Sequence, residues 1–308
     1  MSQSQNPFAA GAAYVDGEFV PMAEARIPLS DLGFIRSDCT YDVVHVWQGR
    51  FFRLDAHIDR FLASAAKLRL AVPLERQALA DMLHGLVART GLKETYVNMT
   101  VTRGILPLGS RDPLACRNRL YAFAVPFMWI AQPAEADRGI AMIVATPERI
   151  SMKSFDQSVK NFMWGDLTAA QIEAGEKDAK VPVLLDAGGN ITEGPGFNVF
   201  VVKEGHLATP DTGVLHGITR RTAIELAASL NVETRVAPVS LGELRSADEI
   251  FITSTAGGIM PVTRLDGAAV GDGEPGPVAQ SLRRLYWQAH SDPKYAEPVR
   301  YGVLEAAE

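Results

Sequence analysis

Cysteine is scarce in this chain: Cys39 and Cys116 are the only two among its 308 residues. Two thiols so far apart in sequence supply neither a disulfide framework nor a cysteine zinc site, and they suit a reducing compartment; no metal and no redox role is expected. Basic charge is short as well. Thirty Lys and Arg against 36 Asp and Glu leave a formal charge of -6, which excludes the basic surface that nucleic acid or an anionic membrane requires. Long apolar runs are missing. None approaches the ~20 residues that span a bilayer, and the amino-terminal MSQSQNPFAA has no basic segment followed by an apolar one. A cytoplasmic protein acting on small molecules is the expectation. What the chain does have, 47% hydrophobic and 21% charged residues, suffices for a substantial core and for two domains.

Two regimes follow one another. From Ala13 to about Met128, the strand-like YVDGEFV and TYDVVHVWQGRFFRL lead into two helices, DAHIDRFLASAAKLRL and LERQALADMLHGLVARTG. The strands TYVNMTVTRG and NRLYAFAVPFM come next. This is an α+β pattern. In the first helix Asp55 is the candidate N-cap, and Ile58, Phe61, Leu62, Ala65 and Leu68 recur at helical spacing as a buried stripe. WIAQPAEADRG, with its proline and glycine, reads as a connection. It is followed by a strand-rich regime of GIAMIVAT, VPVLLD, FNVFVV and EIFITS with two helices between. The expected division is a small domain over 1–127, a linker over 128–138 and a larger cofactor-binding domain over 139–308, the two enclosing a cleft. No repeat or low-complexity tract appears.

Four stretches carry candidate chemistry. In SFDQSVKNFMWGDL, Lys160 sits among Phe155, Val159, Phe162, Met163 and Trp164, apolar neighbours that favour an uncharged, nucleophilic amine. A solvated surface lysine is the plainer alternative, and Lys153 competes on composition. In LHGITRRTAIELAASL, Gly217 precedes a helix whose first turn offers the backbone N–H groups of Ile218 and Thr219 to a phosphate; an ordinary glycine-entered helix explains the stretch equally. In EIFITSTAGGIM, Ser254, Thr255 and Ala256 follow a strand end where backbone amides can approach an anion, or where the chain simply turns. In NITEGPGFNVFVV, Glu193 stands at a strand edge, and a solvated turn carboxylate is the bland reading. Together these features supply what pyridoxal 5'-phosphate needs: a lysine for the Schiff base, a carboxylate beside the pyridine nitrogen and a phosphate cradle.

The stretches SDCTYDVVHVWQGRFFRLDAHIDRF, VKNFMWGDL, TEGPGFNVFVVKEGHLATPDTGVLHGITRRTAIELA and DEIFITSTAGGIMPVTRLDG, in this order, resemble the fold-type IV pyridoxal-phosphate aminotransferases over nearly the whole chain. The resemblance implies a two-domain α+β fold, usually a homodimer. It also implies that Lys160 forms the Schiff base and shuttles the proton, and that Glu193 pairs with the pyridine nitrogen. Arg60 would bind phosphate with the backbone of Ile218 and Thr219 and the Thr255 hydroxyl, while Leu215 packs on the ring. Helical spacing alone puts Arg60 off the buried stripe, at the surface.

Within that fold, SDCTYDVVHVWQGRFFRL, KNFMWGDLT and STAGGIMPVTRLDG look most like the (R)-selective amine transaminases. Relatives acting on D-amino acids carry an Arg-x-His pair after the TRG of the strand; TRGILPLGSRDP lacks it. A site without that clamp suits an apolar amine, because a buried guanidinium would otherwise go unpaired. Amine transaminases place an arginine in this loop for the keto-acid carboxylate. Here Gly109 stands at that position, with Arg111 two residues on, which serves if the loop is reshaped and is otherwise solvated. Tyr41, Val43, Tyr96, Trp164 and Ala256 would line the pocket, and His45 either adds a polar contact or is a satisfied strand histidine. The expected reaction passes an amino group between an apolar amine and a keto acid such as pyruvate. The alternatives are a D-amino acid or branched-chain amino acid transaminase, an aminodeoxychorismate lyase of the same fold, and a non-catalytic binding protein.

Overall fold

Two dipeptides set the first hairpins. Asp16-Gly17 and Gln48-Gly49 all adopt positive φ, the twist that joins adjacent antiparallel strands through a two-residue turn. They connect Val15 to Glu18 and Trp47 to Arg50. The computed structural model describes residues 6–304. Its elements begin with β1 (Ala12–Val15), β2 (Glu18–Pro21), α1 (Leu32–Arg36), β3 (Cys39–Trp47), β4 (Arg50–Phe52), α2 (Leu54–Lys67), α3 (Arg76–Thr90), β5 (Thr95–Thr102) and β6 (Arg119–Pro126). There follow α4 (Pro133–Arg138), β7 (Ile140–Val144), α5 (Gly165–Glu176), β8 (Val181–Val183), β9 (Glu193–Gly194), β10 (Phe197–Lys203), β11 (His206–Thr209), α6 (Ile218–Ser229), β12 (Thr234–Val236) and α7 (Leu241–Arg245). The chain closes with β13 (Glu249–Ser254), β14 (Gly258–Leu265), β15 (Ala268–Ala269), α8 (Pro277–Gln288) and β16 (Ala296–Pro298). No helix among the described residues is long and apolar enough to cross a membrane.

These elements form two units: the chain up to Met128 with Val159–Phe162 and the segment from His290 onward, and Trp129–Ser158 with Met163–Ala289. This departs from the expected 1–127, 128–138 and 139–308 in three places. The expected linker carries α4, with Pro133 in its first turn and Gly139 at its end, so the proline and glycine punctuate a helix there. Val159–Phe162 joins the first unit because the Lys160 carbonyl accepts from Thr40 Oγ1 (2.5 Å) and from the Tyr41 N–H (3.3 Å). The C-terminal segment joins it because β16 pairs with β4 and Val299 enters the first core.

The first unit is built on a seven-stranded sheet in the order β16-β4-β3-β5-β6-β1-β2, antiparallel throughout. Register puts Val44 opposite Val97 and Asp42 opposite Met99 on one face. That face meets Ile58, Phe61 and Ala65 of α2 and Leu79, Leu83 and Leu86 of α3 in the core, each side chain contributing roughly 1.5–3 kcal/mol by leaving water. The second face carries the alternate residues, Tyr41 opposite Thr100, Val43 opposite Asn98 and His45 opposite Tyr96. Two details of α2 differ from expectation. Its N-cap is Arg53, in a left-handed conformation and without a side-chain cap, and Asp55 lies in the first turn. Besides the apolar stripe, the helix buries a polar line of His57 and Ser64, with Arg60 between them at 14% side-chain exposure.

The second unit holds a nine-stranded sheet, β12-β11-β10-β13-β14-β7-β8 with β15 on β14 and β9 on β10. Its central strands FNVFVV and EIFITS are buried at every position, from Phe197 to Val202 and from Glu249 to Ser254, as strands covered on both faces must be. Val199, Val201, Ile250, Ile252, Met260 and Val262 form the core. Between the strands lie α5 and α6 and also the short α7, one helix more than the sequence suggested.

Candidate active site

In the first unit, one end of β3 gathers charge on one face and Lys160 on the other. Asp42 is fully buried, and its carboxylate is shared. Arg60 donates from Nε to Oδ2 (2.7 Å) and from Nη2 to Oδ1 (2.8 Å), and His57 Nδ1 lies 2.8 Å from Oδ1. Burial alone would raise the carboxyl. The Arg60 guanidinium and the hydrogen bonds from His57 and Arg60 outweigh it and hold Asp42 well below the ordinary carboxylate range. Burial lowers His57 despite its bond to Asp42, so the ring is neutral and Nδ1 carries the proton it donates. Arg60 is therefore aimed by a fixed anion and is no surface residue. On the second face, Lys160 Nζ lies 4.5 Å from the centroid of the Tyr41 ring, which stacks on Phe162 at 4.3 Å. Lys160 is half-buried and the competing Lys153 is exposed.

The other expected pocket residues of this unit, Val43, His45 and Tyr96, share that second face. His45 meets a histidine partner: its Nε2 lies 2.7 Å from Nε2 of His290, between Phe52 and Phe127. Arg111 stands apart, exposed in the connection between β5 and β6.

In the second unit, Glu193 lies on β9 opposite Asn198, and both carboxylate oxygens are held. Oε1 accepts from Arg149 Nη2 (3.1 Å) and Nε (3.3 Å), and Oε2 accepts from the Leu215 N–H (2.8 Å). Arg149 also donates to Asp166 Oδ2 (2.7 Å), which takes the Ile150 N–H as well. Burial raises Asp166, but that N–H and the Arg149 guanidinium hold it below its ordinary value. Sequence reasoning missed Arg149 and Asp166; the only hint was an aspartate at the first turn of a helix just beyond the lysine. Gly217 is the N-cap of α6 and no side chain caps the helix, so its first N–H groups keep their donor capacity. A Cβ on Gly217 would come within 2.1 Å of Asn198 Oδ1, so a side chain there would have to displace Asn198, whose Nδ2 donates to the Leu215 carbonyl. Ser254 Oγ donates to the Gly196 carbonyl (2.8 Å) and accepts the Ala256 N–H (3.1 Å), ordering the turn that presents Thr255. Trp164 packs against Leu167 and Ala170.

Each unit thus assembles its own share of the expected residues. Lys160, Arg60, Tyr41, Val43, His45 and Tyr96 belong to the first, and Glu193, Leu215, Gly217, Ile218, Thr219, Ser254, Thr255, Ala256 and Trp164 to the second. Their chemistry fits pyridoxal phosphate. One guanidinium between the buried Glu193 and the half-buried Asp166 leaves a negative charge that a protonated ring nitrogen would complete, and an uncapped helix start and an oriented arginine suit a phosphate. No group of three or more metal-ligating side chains occurs among the described residues.

Residues 40–265 match the family model for amino-transferase class IV. The D-alanine aminotransferase of Listeria monocytogenes (serotype 1/2a, strain 10403S) is 32% identical over 281 residues, covering 88% of this chain and 93% of its own. Among solved structures, the T.th. branched-chain amino acid aminotransferase with pyridoxamine 5'-phosphate superposes with a TM-score of 0.88 at 27% identity, over 94% of this chain and 99% of the other. The branched-chain aminotransferase of Thermoproteus uzoniensis with norvaline gives a TM-score of 0.86 at 26% identity and the same coverage. The chain belongs to the class IV aminotransferases, enzymes of the type IV fold that use pyridoxal 5'-phosphate.

Proposed function

We propose that this aminotransferase is an (R)-selective amine:keto-acid transaminase, passing an amino group between apolar aryl-alkyl amines and an acceptor such as pyruvate. The observation that carries this reading is the composition of the second face of the first sheet. Beside Lys160, the residues Tyr41, Val43, His45, Tyr96, Asn98 and Thr100 include no arginine or lysine, and the Arg-x-His pair is absent from the following loop, where Arg111 is exposed. A fixed guanidinium buried against an apolar amine would lack its counter-ion, a cost of several kcal/mol. Aromatic and neutral polar walls accept such an amine without that cost. The R preference rests on the resemblance of TYDVVHVW and its companion stretches, as do the homodimer and the cytoplasmic location.

In this reading Lys160 Nζ is the amine that holds the cofactor and the base that moves a proton at the substrate carbon bearing nitrogen. Bound pyridoxal phosphate supplies a carbonyl for the amine exchange and a ring that takes up the electrons. Glu193, fixed by Arg149 and Leu215, keeps the pyridine nitrogen protonated. Arg60, aimed by Asp42, and the N–H groups of Ile218 and Thr219 hold the phosphate, with the Thr255 hydroxyl. Leu215 and Trp164 supply apolar cover.

The names of relatives such as the Listeria D-alanine aminotransferase favour a second reading, an amino acid transaminase. Adding (R)-1-phenylethylamine, (S)-1-phenylethylamine and D-alanine separately to the holoenzyme, and following the visible band of the bound cofactor, separates the two. The amine reading expects rapid bleaching by the R amine and by D-alanine and little by the S amine. Bleaching by amino acids alone would overturn it, and repeated turnover of aminodeoxychorismate to pyruvate with no amino acceptor present would indicate the lyase.

A further inference from the structure

Asn98 is a buried carboxamide with half of its hydrogen-bonding capacity unspent. It lies on β5 at 6% exposure, and its Oδ1 accepts the Thr100 hydroxyl at 2.7 Å. That bond uses the carbonyl side and turns Nδ2 the other way, where it has no hydrogen-bond partner among the described residues. Across the ladders its neighbours are Val43 on one side and Phe123 on the other, neither able to accept. Nδ2 is therefore a donor with a bond still to give, and the face it occupies suggests to what. Thr100 stands opposite Tyr41, whose ring lies beside Lys160 Nζ, so Asn98 is one diagonal step, roughly 7–8 Å, from the residue at the amine. That is the span of a small substrate. Two residues back on the same face, the Tyr96 phenol is pushed up to about 12, by burial first and by Asp42 second, and so remains a donor.

We propose that the Asn98 Nδ2–H group, with Tyr96 beside it, hydrogen-bonds the carboxylate of the keto-acid acceptor. A neutral donor answers the difficulty of serving two substrates at one place. An arginine would be left charged and unpaired when the apolar amine replaces the acid, whereas an amide is left only with unmade hydrogen bonds, a smaller cost. The assignment also removes the need for Arg111. It rests on the transaminase reading only in requiring a keto-acid acceptor.

The test uses the holoenzyme and the variants N98L, N98D and T100V. KM is measured for pyruvate and for (R)-1-phenylethylamine, and Kd for propionate, a non-reacting carboxylate, from its perturbation of the visible band. N98L and N98D are expected to raise the pyruvate KM and propionate Kd about 10–100-fold, the worth of a hydrogen bond to a charged group, and by more than either changes the amine KM. T100V releases Oδ1 and lets the carboxamide turn, so a rise of a few-fold is expected without any change at Asn98 itself; it serves also if the Asn98 variants fold poorly. Unchanged pyruvate and propionate values, or equal shifts for amine and acid, would overturn the proposal. If the parent enzyme turns over D-alanine and not the amine, the amine reading fails, and Asn98 is judged on pyruvate and propionate alone.

Discussion

The two units each bury an ionic cluster, and the clusters are built in opposite proportions. In the first, one carboxylate, Asp42, serves two nitrogen bases, Arg60 and a neutral His57. In the second, one guanidinium, Arg149, serves two carboxylates, Glu193 and Asp166. The first is electrically balanced and holds a guanidinium in a set direction. The second keeps a surplus negative charge, and its Glu193 carboxylate is locked by a further bond from the Leu215 N–H. The difference teaches how bonding proportions set what a cluster can offer: the balanced one fixes a direction for Arg60, and the unbalanced one fixes a carboxylate and keeps a negative charge.

The surest way to break this comparison is to remove the shared guanidinium. R149M strands the buried Glu193 and the half-buried Asp166 at once, and breaking a buried pair by deleting one partner costs about 3–5 kcal/mol. Urea unfolding of the cofactor-free variant is expected to show at least that loss, with R149K recovering part of it. Next comes D42N, which leaves Arg60 without its anion but the neutral His57 unharmed, and should cost less than R149M by the same measurement. This variant also has a pH signature. Asp42 titrates lower in the folded chain than in the unfolded one, so its contribution is present above the unfolded value of about 3.9 and is lost as pH falls below it. The stability difference between parent and D42N should therefore be full near neutrality and shrink below about pH 4; a difference independent of pH would show that Asp42 acts through packing alone.

How far the sequence disclosed these two regions differs as well. Hairpins and core strands were legible, because Asp16-Gly17 and Gln48-Gly49 are turn pairs and FNVFVV and EIFITS are short apolar runs. The polar line of α2 was not, since helical periodicity is read from apolar residues and its partner Asp42 lies in another element. Arg60 looked like surface until β3 placed an anion under it. Glu193 was visible as a strand-edge carboxylate, whereas Arg149 and Asp166 were hidden, because a charged loop residue reads as solvated until the fold closes around it. Asn98 escaped for a subtler reason. A polar residue at the alternate position of a strand is ordinary, and only the register with Val43 and Phe123 reveals that its amide has nothing to bond.

The smallest structural effect is expected at the residue to which the proposed reaction gives the largest chemical role. Lys160 is anchored through its backbone carbonyl, by Thr40 and Tyr41. Truncating the side chain forfeits the contact of Nζ with the Tyr41 ring, about 0.5–1 kcal/mol at a site of this kind, and keeps both backbone bonds. K160A should therefore unfold in urea nearly with the parent, far above R149M, while transamination falls by about 10²–10⁴-fold or more as the positioned base is lost. That separation sharpens the comparison, since it divides residues that build the two clusters from the one proposed to carry the chemistry. A K160A protein as unstable as R149M would contradict it, placing the amine within the architecture of the first unit.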